Sequence, residues 1–342
     1  MISVIIPTHN DTKLLLEVID NLYLGTNKDE YEIIVVNDGG CDTGGRFQPI
    51  FFDPFKYPNI AVINNTEQRG VGFSFDRGVE RAMGDIIILM GADIIVRRSW
   101  LKDVLNAVYE HPNTIGCAVS LGLNGDERDL DKKGINKRYG ARLLATLDKD
   151  DFPEGSDKIK KNPDHREIME AKWINEKKSD EPYEIPCALG AFYFTSKSYY
   201  NKIGGWDTDP AKDFQGHMRW GHLEPHISLK SWLYGGGVTL FPNIEAGHLF
   251  GRITRKNRMQ HRSSKPSLAW FNALWISHTM IFDDNLRDKI NNFCPPELNL
   301  NKAKSYIKKN YDNVLEIKER NKLGFVNSFA DICQKFDIKI KP

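Results

Sequence analysis

Three stretches of this 342-residue chain share one pattern: SVIIPTHND (residues 3–11), VVNDGG (35–40) and MGAD (90–93). In each of them polar residues directly follow a run rich in valine and isoleucine, which predicts a buried strand with polar side chains at its carboxyl end. Ligands bind outside these ends in an open parallel sheet. Asp38 and Asp93, together with His248 from the later block GHLF, are therefore expected to converge on one crevice. Such a crevice suits a charged nucleotide that is held through a metal ion.

The alternation of strand and helix patterns predicts an α/β fold with a largely parallel, Rossmann-like sheet flanked by helices. Apolar runs predict strands at residues 2–6, 32–36, 60–64 and 86–90, and a central strand within 183–195. Helical periodicity predicts helices after Asp11 or Thr12, from about 71 to 83, and after Ser99. Further helical patterns after 266, near 312–323 and near 327–336 predict a C-terminal helical extension.

The composition limits the classes of protein that fit. Lys plus Arg (47) and Asp plus Glu (46) nearly balance, so the overall charge predicts no polyanionic partner. The five cysteines are widely spaced and form no CxxC motif, which predicts reduced thiols. The first hydrophobic run is too short for a signal peptide, and no run approaches the roughly 20 apolar residues of a membrane span. We therefore expect a cytoplasmic protein without a membrane span.

The segment from about 122 to 180 differs from the rest because it is dense in Asp, Lys, Glu and Asn. Two interpretations are open: a solvated excursion with some helix, or an insertion that binds the acceptor, since loops over a rigid sheet often carry specificity. The expected organisation is a main domain, then a basic loop with the helical extension, at 1–255 and 256–342. Within the main domain we expect a nucleotide-binding half, a polar insertion and an acceptor and metal half, at 1–121, 122–182 and 183–255.

The order and spacing of these blocks resemble those of nucleotide-sugar glycosyltransferases with the GT-A fold. The N-terminal half is similar to the inverting glycosyltransferase family 2, where IIPTHN stands at the opening strand, VVNDGG at the VDDGS block and MGAD at the DxD metal motif. The C-terminal half resembles the polypeptide N-acetylgalactosaminyltransferases, whose Gly-Gly-aromatic-Asp turn, helix and closing metal-ligand histidine correspond to GGWD, the helix after it and GHLF. The resemblance covers roughly residues 1–255 and implies a UDP-sugar donor with Mn²⁺ or Mg²⁺.

The resemblance assigns the first strand ends to the nucleotide. Asp38 would accept the uracil N3–H, while Thr8 and Asn10 border the same pocket and Arg69 is a further contact. Asn37 occupies a position that is often acidic in family 2. The alternative for Asp38 is a plain strand-to-loop turn, because Asp-Gly is common turn chemistry.

The metal assignment rests on Asp93 and His248. Family 2 commonly has DxD at the first of these positions, whereas this chain has Gly91 in place of the first carboxylate. One aspartate, one histidine and a diphosphate would still suffice, because Mg²⁺ or Mn²⁺ accepts phosphate oxygens and water. The missing carboxylate is expected to weaken metal binding or to change the metal. Glu245 is a weaker alternative ligand, and Asp93 has a purely structural alternative in the turn.

The tract after GHLF, at 252–265, contains six Lys or Arg residues and no acid. It predicts a lid in which Arg252 and Arg255 neutralise the diphosphate leaving group, or else a solvated loop. Clustered cations also keep DNA or RNA open as a partner, because phosphate contacts need them.

Glu224 is the candidate for the catalytic carboxylate near the start of the last helix of the main domain. It would deprotonate an acceptor hydroxyl in an inverting reaction or contact the donor sugar in a retaining one. Its alternative is an ordinary acid at a helix N-terminus. Asp207 is expected to bind a sugar hydroxyl or to fix its turn, and Trp206 and Trp220 to stack on a sugar or fill the core.

The sequence therefore predicts transfer of a hexose or N-acetylhexosamine from a UDP-sugar to a soluble hydroxyl acceptor, which is a protein, a glycan or a modified nucleic-acid base. Stereochemistry stays open, because the two halves resemble an inverting and a retaining family. Two other classes stay open as well. A nucleotidyltransferase would share the sheet, although PTHNDTK lacks the Gly-rich basic loop expected after its first strand. A non-catalytic sugar-nucleotide binding protein would account for the carboxylate missing at residue 91.

Overall fold

The computed structural model describes residues 1–10, 12–24, 26, 30–41, 47–124, 128–152, 154–208, 221–250, 266–296 and 298–342. The strands are β1 (Ile2–Thr8), β2 (Tyr31–Asp38), β3 (Ile60–Asn65), β4 (Ile86–Met90), β5 (Ile94–Val96), β6 (Ile115–Asn124), β7 (Asn136–Arg138), β8 (Ala141–Leu147), β9 (Glu167–Trp173), β10 (Tyr183–Glu184), β11 (Phe192–Ser196) and β12 (Val238–Phe250). The helices are α1 (Thr12–Tyr23), α2 (Val71–Arg81), α3 (Trp100–Glu110), α4 (Asp157–Lys161), α5 (Lys197–Ile203), α6 (Leu223–Leu233), α7 (Pro266–Met280), α8 (Asp284–Asn292), α9 (Leu298–Lys309), α10 (Tyr311–Gly324) and α11 (Phe329–Phe336).

The main sheet runs in the order β10-β12-β6-β11-β4-β1-β2-β3, with β5 paired to β12 and β7 to β6. β1 pairs in parallel with β2 and β4, β2 with β3, and β12 with β6. β11 lies between β4 and β6 and runs antiparallel to both. The predicted α/β architecture with a mostly parallel sheet is therefore confirmed, and the central strand predicted within 183–195 is the antiparallel β11.

The centre of the sheet is buried on both faces, which explains its unbroken apolar runs. Along β1, Ile5 packs into the cluster that contains Phe75 of α2, whereas its neighbour Val4 packs into the cluster that contains Leu15 of α1 and Trp100 of α3. Successive residues of a strand point to opposite faces, so both faces of this strand need apolar side chains. The polar residues that follow such a strand consequently mark its end.

The segment predicted as polar contains a buried hairpin. β8 and β9 pair with each other in an antiparallel two-stranded sheet. Leu143 and Ala145 of β8 and Ile168 and Met169 of β9 are buried in the main core. The short alternation of apolar and polar residues in β8 is hidden among the many charged residues around it, and composition alone favoured a solvated segment.

The C-terminal helices pack around α7. The helix predicted after 266 is α7, and its residues Phe271, Asn272, Trp275 and Ser277 are all buried, because α6, α9, α10 and β9 surround it. The predicted helices near 312–323 and 327–336 are α10 and α11, whereas α8 and α9 were not predicted. In the ranges given above, no helix is both long enough and apolar enough to span a membrane. The five cysteines all lie in these ranges and form no disulfide.

Candidate functional site

Asp93 and His248 meet at the carboxyl end of β4, although 155 positions separate them. The chain turns after Asp93 into β5, which pairs antiparallel with β12 and places Ile94 opposite His248. The backbone amide of Leu249 donates to the Asp93 carbonyl at 2.9 Å. His248 Nε2 lies 2.9 Å from Asp93 Oδ2, and the two side chains stay 17% and 34% exposed. The topology therefore brings these two candidate metal ligands together at an accessible point.

Gly91 has a specific place beside this pair. A Cβ at residue 91 would lie 2.8 Å from Asp93 Oδ1 and 3.2 Å from the Ala191 Cβ. The Gly91 amide donates to the Ala191 carbonyl at 2.9 Å, which fixes the loop against the start of β11. The glycine thus leaves room for the Asp93 carboxylate in the position that it occupies.

Asp93 and His248 fit a divalent ion that takes its other ligands from a substrate. Among the residues that the structure describes, no group of three or more His, Cys, Asp or Glu side chains is arranged to hold a metal. The Asp93 carboxylate oxygen and the His248 ring nitrogen lie 2.9 Å apart, so both would reach the same ion. A carboxylate oxygen with an imidazole nitrogen suits Mn²⁺, while phosphate oxygens and water would complete the shell.

Asp38, the last residue of β2, joins this strand to the start of α2. Its Oδ1 accepts from the Arg69 amide at 2.7 Å and its Oδ2 from the Gly70 amide at 2.8 Å. These amides flank the first turn of the helix, whose N–H groups lack partners within the helix. The Arg69 guanidinium lies 4.4 Å from the centre of the Phe73 ring. Asp38 is therefore a structural anchor, and a carboxylate has further lone pairs with which to accept from a ligand.

Asn37 has its own hydrogen-bond network. This network explains why an amide side chain stands at a position that is often acidic in family 2. Its Nδ2 donates to the Gln48 carbonyl at 2.8 Å and to Asn64 Oδ1 at 3.0 Å, and its Oδ1 accepts from the Gly40 amide at 3.0 Å. A carboxylate accepts hydrogen bonds but donates none when ionised. An aspartate would therefore break two of these three contacts.

Thr8 and Asn10 at the end of β1 differ in their environments. Thr8 is 5% exposed, and its Oγ1 has no hydrogen-bond partner in the described ranges. A buried hydroxyl without a partner costs free energy, which the polar atom of a ligand would recover. Asn10 accepts from the Cys41 amide, and its Nδ2 lies 3.0 Å from His9 Nε2. His9 Nδ1 lies 2.8 Å from the Asp38 carbonyl and donates to it, so this pair links the ends of β1 and β2.

Glu224 lies half-buried in the first turn of α6, and the Tyr193 hydroxyl donates to its Oε1 at 3.2 Å. Burial raises the pKa of Glu224 above its ordinary value of 4.5. Its own backbone amide, the Tyr193 hydroxyl and the charges of His222 and His248 act in the opposite direction. A carboxylate with a raised pKa is suited to accept a proton.

Asp207 is enclosed in an ion-pair network. Its side chain and that of Lys230 are 0% exposed, and Lys230 and Arg320 both donate to Oδ1. His226 Nε2 lies 3.0 Å from Oδ2, and the Lys230 ammonium also donates to two carbonyls of the Gly-Gly-Trp-Asp turn. Trp206 of this turn fills the core, where it stacks on Phe75. This geometry favours the role of fixing the turn over contact with a sugar hydroxyl.

The remaining candidates divide into two groups. Glu245 pairs with Arg97 and Lys137, each at 2.6 Å, which directs it to these cations. The second group lies outside the described ranges. It consists of Trp220, Arg252, Arg255 and the rest of the tract 252–265.

Several features around the site, both backbone conformations and contacts, could not be predicted from the sequence. Asn10, Ala191, Asp207 and His222 have left-handed backbone, with φ between 57° and 60°. Residues with a Cβ pay free energy in this region, and such residues concentrate at functional sites. No local pattern marks Ala191 or Tyr193, because their other partners, Gly91 and Glu224, lie far away in the sequence.

The family model described as glycosyl transferase family 2 matches residues 3–204, which is more than half of the chain. The chain belongs to glycosyl transferase family 2. Polypeptide N-acetylgalactosaminyltransferase 14 of Homo sapiens is 25% identical over 250 residues, which make up 72% of this chain and 40% of that protein. Inactive polypeptide N-acetylgalactosaminyltransferase-like protein 5 of Macaca fascicularis is 25% identical over 205 residues, 58% of this chain and 39% of that protein. This family 2 chain thus spans less than half the length of these curated relatives.

The fold of this family 2 protein is that of a solved glycosyltransferase. The crystal structure of GalNAc-T7 with UDP, GalNAc and Mn²⁺ aligns with a TM-score of 0.67 at 16% identity, and the alignment covers 98% of this chain and 57% of that chain. The predicted GT-A fold and the predicted family resemblance are confirmed.

Proposed function

We propose that this family 2 protein transfers a hexose or an N-acetylhexosamine from a UDP-sugar to a hydroxyl group with the help of Mn²⁺ or Mg²⁺. The observation that carries the proposal is the contact of 2.9 Å between Asp93 and His248 at the end of β4. The relatives named N-acetylgalactosaminyltransferases support the N-acetylhexosamine, and the solved structure with UDP and Mn²⁺ supports the donor and the metal.

Asp93 and His248 would hold the ion. A bound divalent ion supplies Lewis-acid stabilisation of the negative charge that develops on the departing diphosphate. The side chains at the ends of β1 and β2 bind and orient the nucleotide: the buried Thr8 hydroxyl has no partner among the residues that the structure describes, and Asp38 has lone pairs to accept from the base. Arg252 and Arg255 would add positive charge near the diphosphate.

Glu224 takes the proton of the acceptor hydroxyl in this proposal. Its raised pKa increases its affinity for a proton, and the Tyr193 hydroxyl fixes one of its oxygens. Asp207 does not contact the acceptor in this proposal. Its enclosed carboxylate instead fixes the Gly-Gly-Trp-Asp turn. The acceptor class within this proposal is a soluble protein, a glycan or a nucleic-acid base, with the tract 252–265 as the surface for DNA or RNA.

A second candidate function is that of a sugar-nucleotide binding protein without transferase activity. Gly91 in place of a carboxylate leaves two protein ligands for the metal, and one relative carries the word inactive in its name. This candidate predicts nucleotide binding without turnover.

The test is UDP release from a panel of UDP-sugars with Mn²⁺, with Mg²⁺ and with EDTA, in which water replaces the acceptor hydroxyl and receives the sugar. We expect slow, metal-dependent release from one sugar, and loss of that release in Asp93→Asn and in His248→Ala. Asp85→Asn is the matched control, because Asp85 is an exposed aspartate at the opposite end of the same strand. UDP binding without release would favour the binding protein. Release that resists EDTA and both variants would contradict the metal assignment.

A further inference from the structure

Tyr193 connects two parts of the site that are otherwise far apart in the sequence. Its hydroxyl accepts from the Ala191 amide at 2.9 Å and donates to Glu224 Oε1 at 3.2 Å. The Ala191 carbonyl in turn accepts from the Gly91 amide at 2.9 Å. These hydrogen bonds and the backbone of Ala191 therefore link the loop that carries Asp93 to the carboxylate of Glu224.

The direction of these hydrogen bonds leaves the Tyr193 hydroxyl little freedom. A tyrosine hydroxyl has one proton to donate, and the Ala191 amide already occupies an acceptor position on the oxygen. The proton is consequently directed to Glu224. Tyr193 is 3% exposed, and burial raises its pKa well above the ordinary value, so the hydroxyl keeps its proton at neutral pH.

Ala191 adds a second reason to regard this contact as specific. Its φ of 57° is unfavourable for a residue with a Cβ, and both its amide and its carbonyl take part in these hydrogen bonds. Without the Tyr193 hydroxyl, the amide of a strained residue would lose its partner. The strained turn and the tyrosine thus depend on each other.

We propose that Tyr193 is a positioning residue that orients the Glu224 carboxylate relative to the loop of Asp93. The inference rests on the proposed function, because it gives Glu224 the role of proton acceptor. A displaced base costs rate, while the binding of the donor depends on the strand ends and the metal ligands. Loss of the hydroxyl should therefore lower kcat and leave KM for the UDP-sugar unchanged.

The experiment compares Tyr193→Phe with Tyr199→Phe, each alone and each combined with Glu224→Gln. Tyr199 is a matched control, because it is also buried and its hydroxyl lies 2.9 Å from Ser231 Oγ. We expect Tyr193→Phe to lower kcat for UDP release about 10- to 100-fold with unchanged KM. We expect no further loss when Glu224 is already glutamine, because the two residues act as one unit. Tyr199→Phe should leave kcat unchanged.

A second readout does not need activity. Amide hydrogen exchange of a peptide that contains Ala191 should become faster in Tyr193→Phe and stay unchanged in Tyr199→Phe, at equal thermal midpoints. An unchanged kcat, or the same fold-loss in the Glu224→Gln background, would overturn the inference. If the wild type releases no UDP from any donor, the proposed function is wrong. In that case, unchanged hydrogen exchange at Ala191 in Tyr193→Phe would also refute the contact between Tyr193 and Ala191.

Discussion

The buried ion pair of Asp207 and Lys230 allows a quantitative test of how the turn before α6 is stabilised. Both side chains are 0% exposed, and the Lys230 ammonium also donates to the carbonyls of Gly204 at 3.1 Å and Gly205 at 3.0 Å. Lys230→Met keeps most of the apolar side chain but removes the charge. Removal of one partner of a buried ion pair costs about 3–5 kcal/mol, because it leaves the other charge uncompensated. Arg320 still pairs with Asp207 in this variant, so we expect a loss near the lower end of this range in the free energy of unfolding.

The pH dependence gives a second signature of the same pair. Burial alone would raise the pKa of Asp207, but Lys230, His226 and Arg320 together hold it well below the ordinary value of 3.8. A carboxyl group whose pKa is lowered in the folded state stabilises the protein at pH values above its ordinary pKa. This stabilisation is lost as the pH falls below that ordinary pKa. Without Lys230 the pKa of Asp207 moves up, so the destabilisation of the protein by acid should be smaller in the variant.

Urea unfolding monitored by tryptophan fluorescence, at neutral and at acidic pH, measures both effects. Lys177→Met is the control, because Lys177 pairs with the exposed Asp180 and such pairs contribute little. The double variant with Asp207→Asn should recover part of the loss, since the buried carboxylate that lost its ammonium partner is then gone. The reasoning is refuted if Lys230→Met is no more destabilising than Lys177→Met.

Three other predictions concern the site itself. A Cβ at residue 91 would lie 2.8 Å from Asp93 Oδ1 and displace that carboxylate, so Gly91→Ala should weaken Mn²⁺ binding in a calorimetric titration; an unchanged Mn²⁺ affinity would contradict the role of Asp93. Burial raises the pKa of Glu224, so the rate of UDP release should fall on acidification with a midpoint above pH 4.5. If Glu224→Gln shows the same fall at acidic pH, Glu224 is not the base. Asn37→Asp removes the hydrogen bond donated to the Gln48 carbonyl and should cost about 1–3 kcal/mol in urea unfolding; a midpoint equal to that of the wild type would show that the network is dispensable.

The parts of the fold that local patterns specify could be predicted from the sequence. An unbroken apolar run indicates a strand that is buried on both faces, and its end indicates the edge where ligands bind. This argument brought Asp38, Asp93 and His248 to the carboxyl ends of the strands, and the structure joins the last two. It required no knowledge of the strand order, because parallel strands end on the same side.

The remaining features depend on partners that only the folded chain brings together. The direction of β11 follows from its place between β4 and β6, and an apolar run does not encode direction. The role of Asp38 as an acceptor for amides near α2 depends on residues more than 30 positions away. The link from Tyr193 to Glu224 is similar, because a buried hydroxyl in a strand looks like any other core residue until its partner is known.

The position of Glu224 depends on both ends of α6, and the C-terminal helices contribute to both. Before the helix, Arg320 of α10 donates to Asp207 in the turn that leads towards it. At its C-terminal end the Leu233 carbonyl accepts from the amides of Val326, at 2.8 Å, and Asn327, at 3.1 Å. The last carbonyls of a helix have no partner within the helix, so these contacts satisfy groups that would otherwise remain unpaired. These contacts connect the C-terminal helices to α6, which carries Glu224 in its first turn.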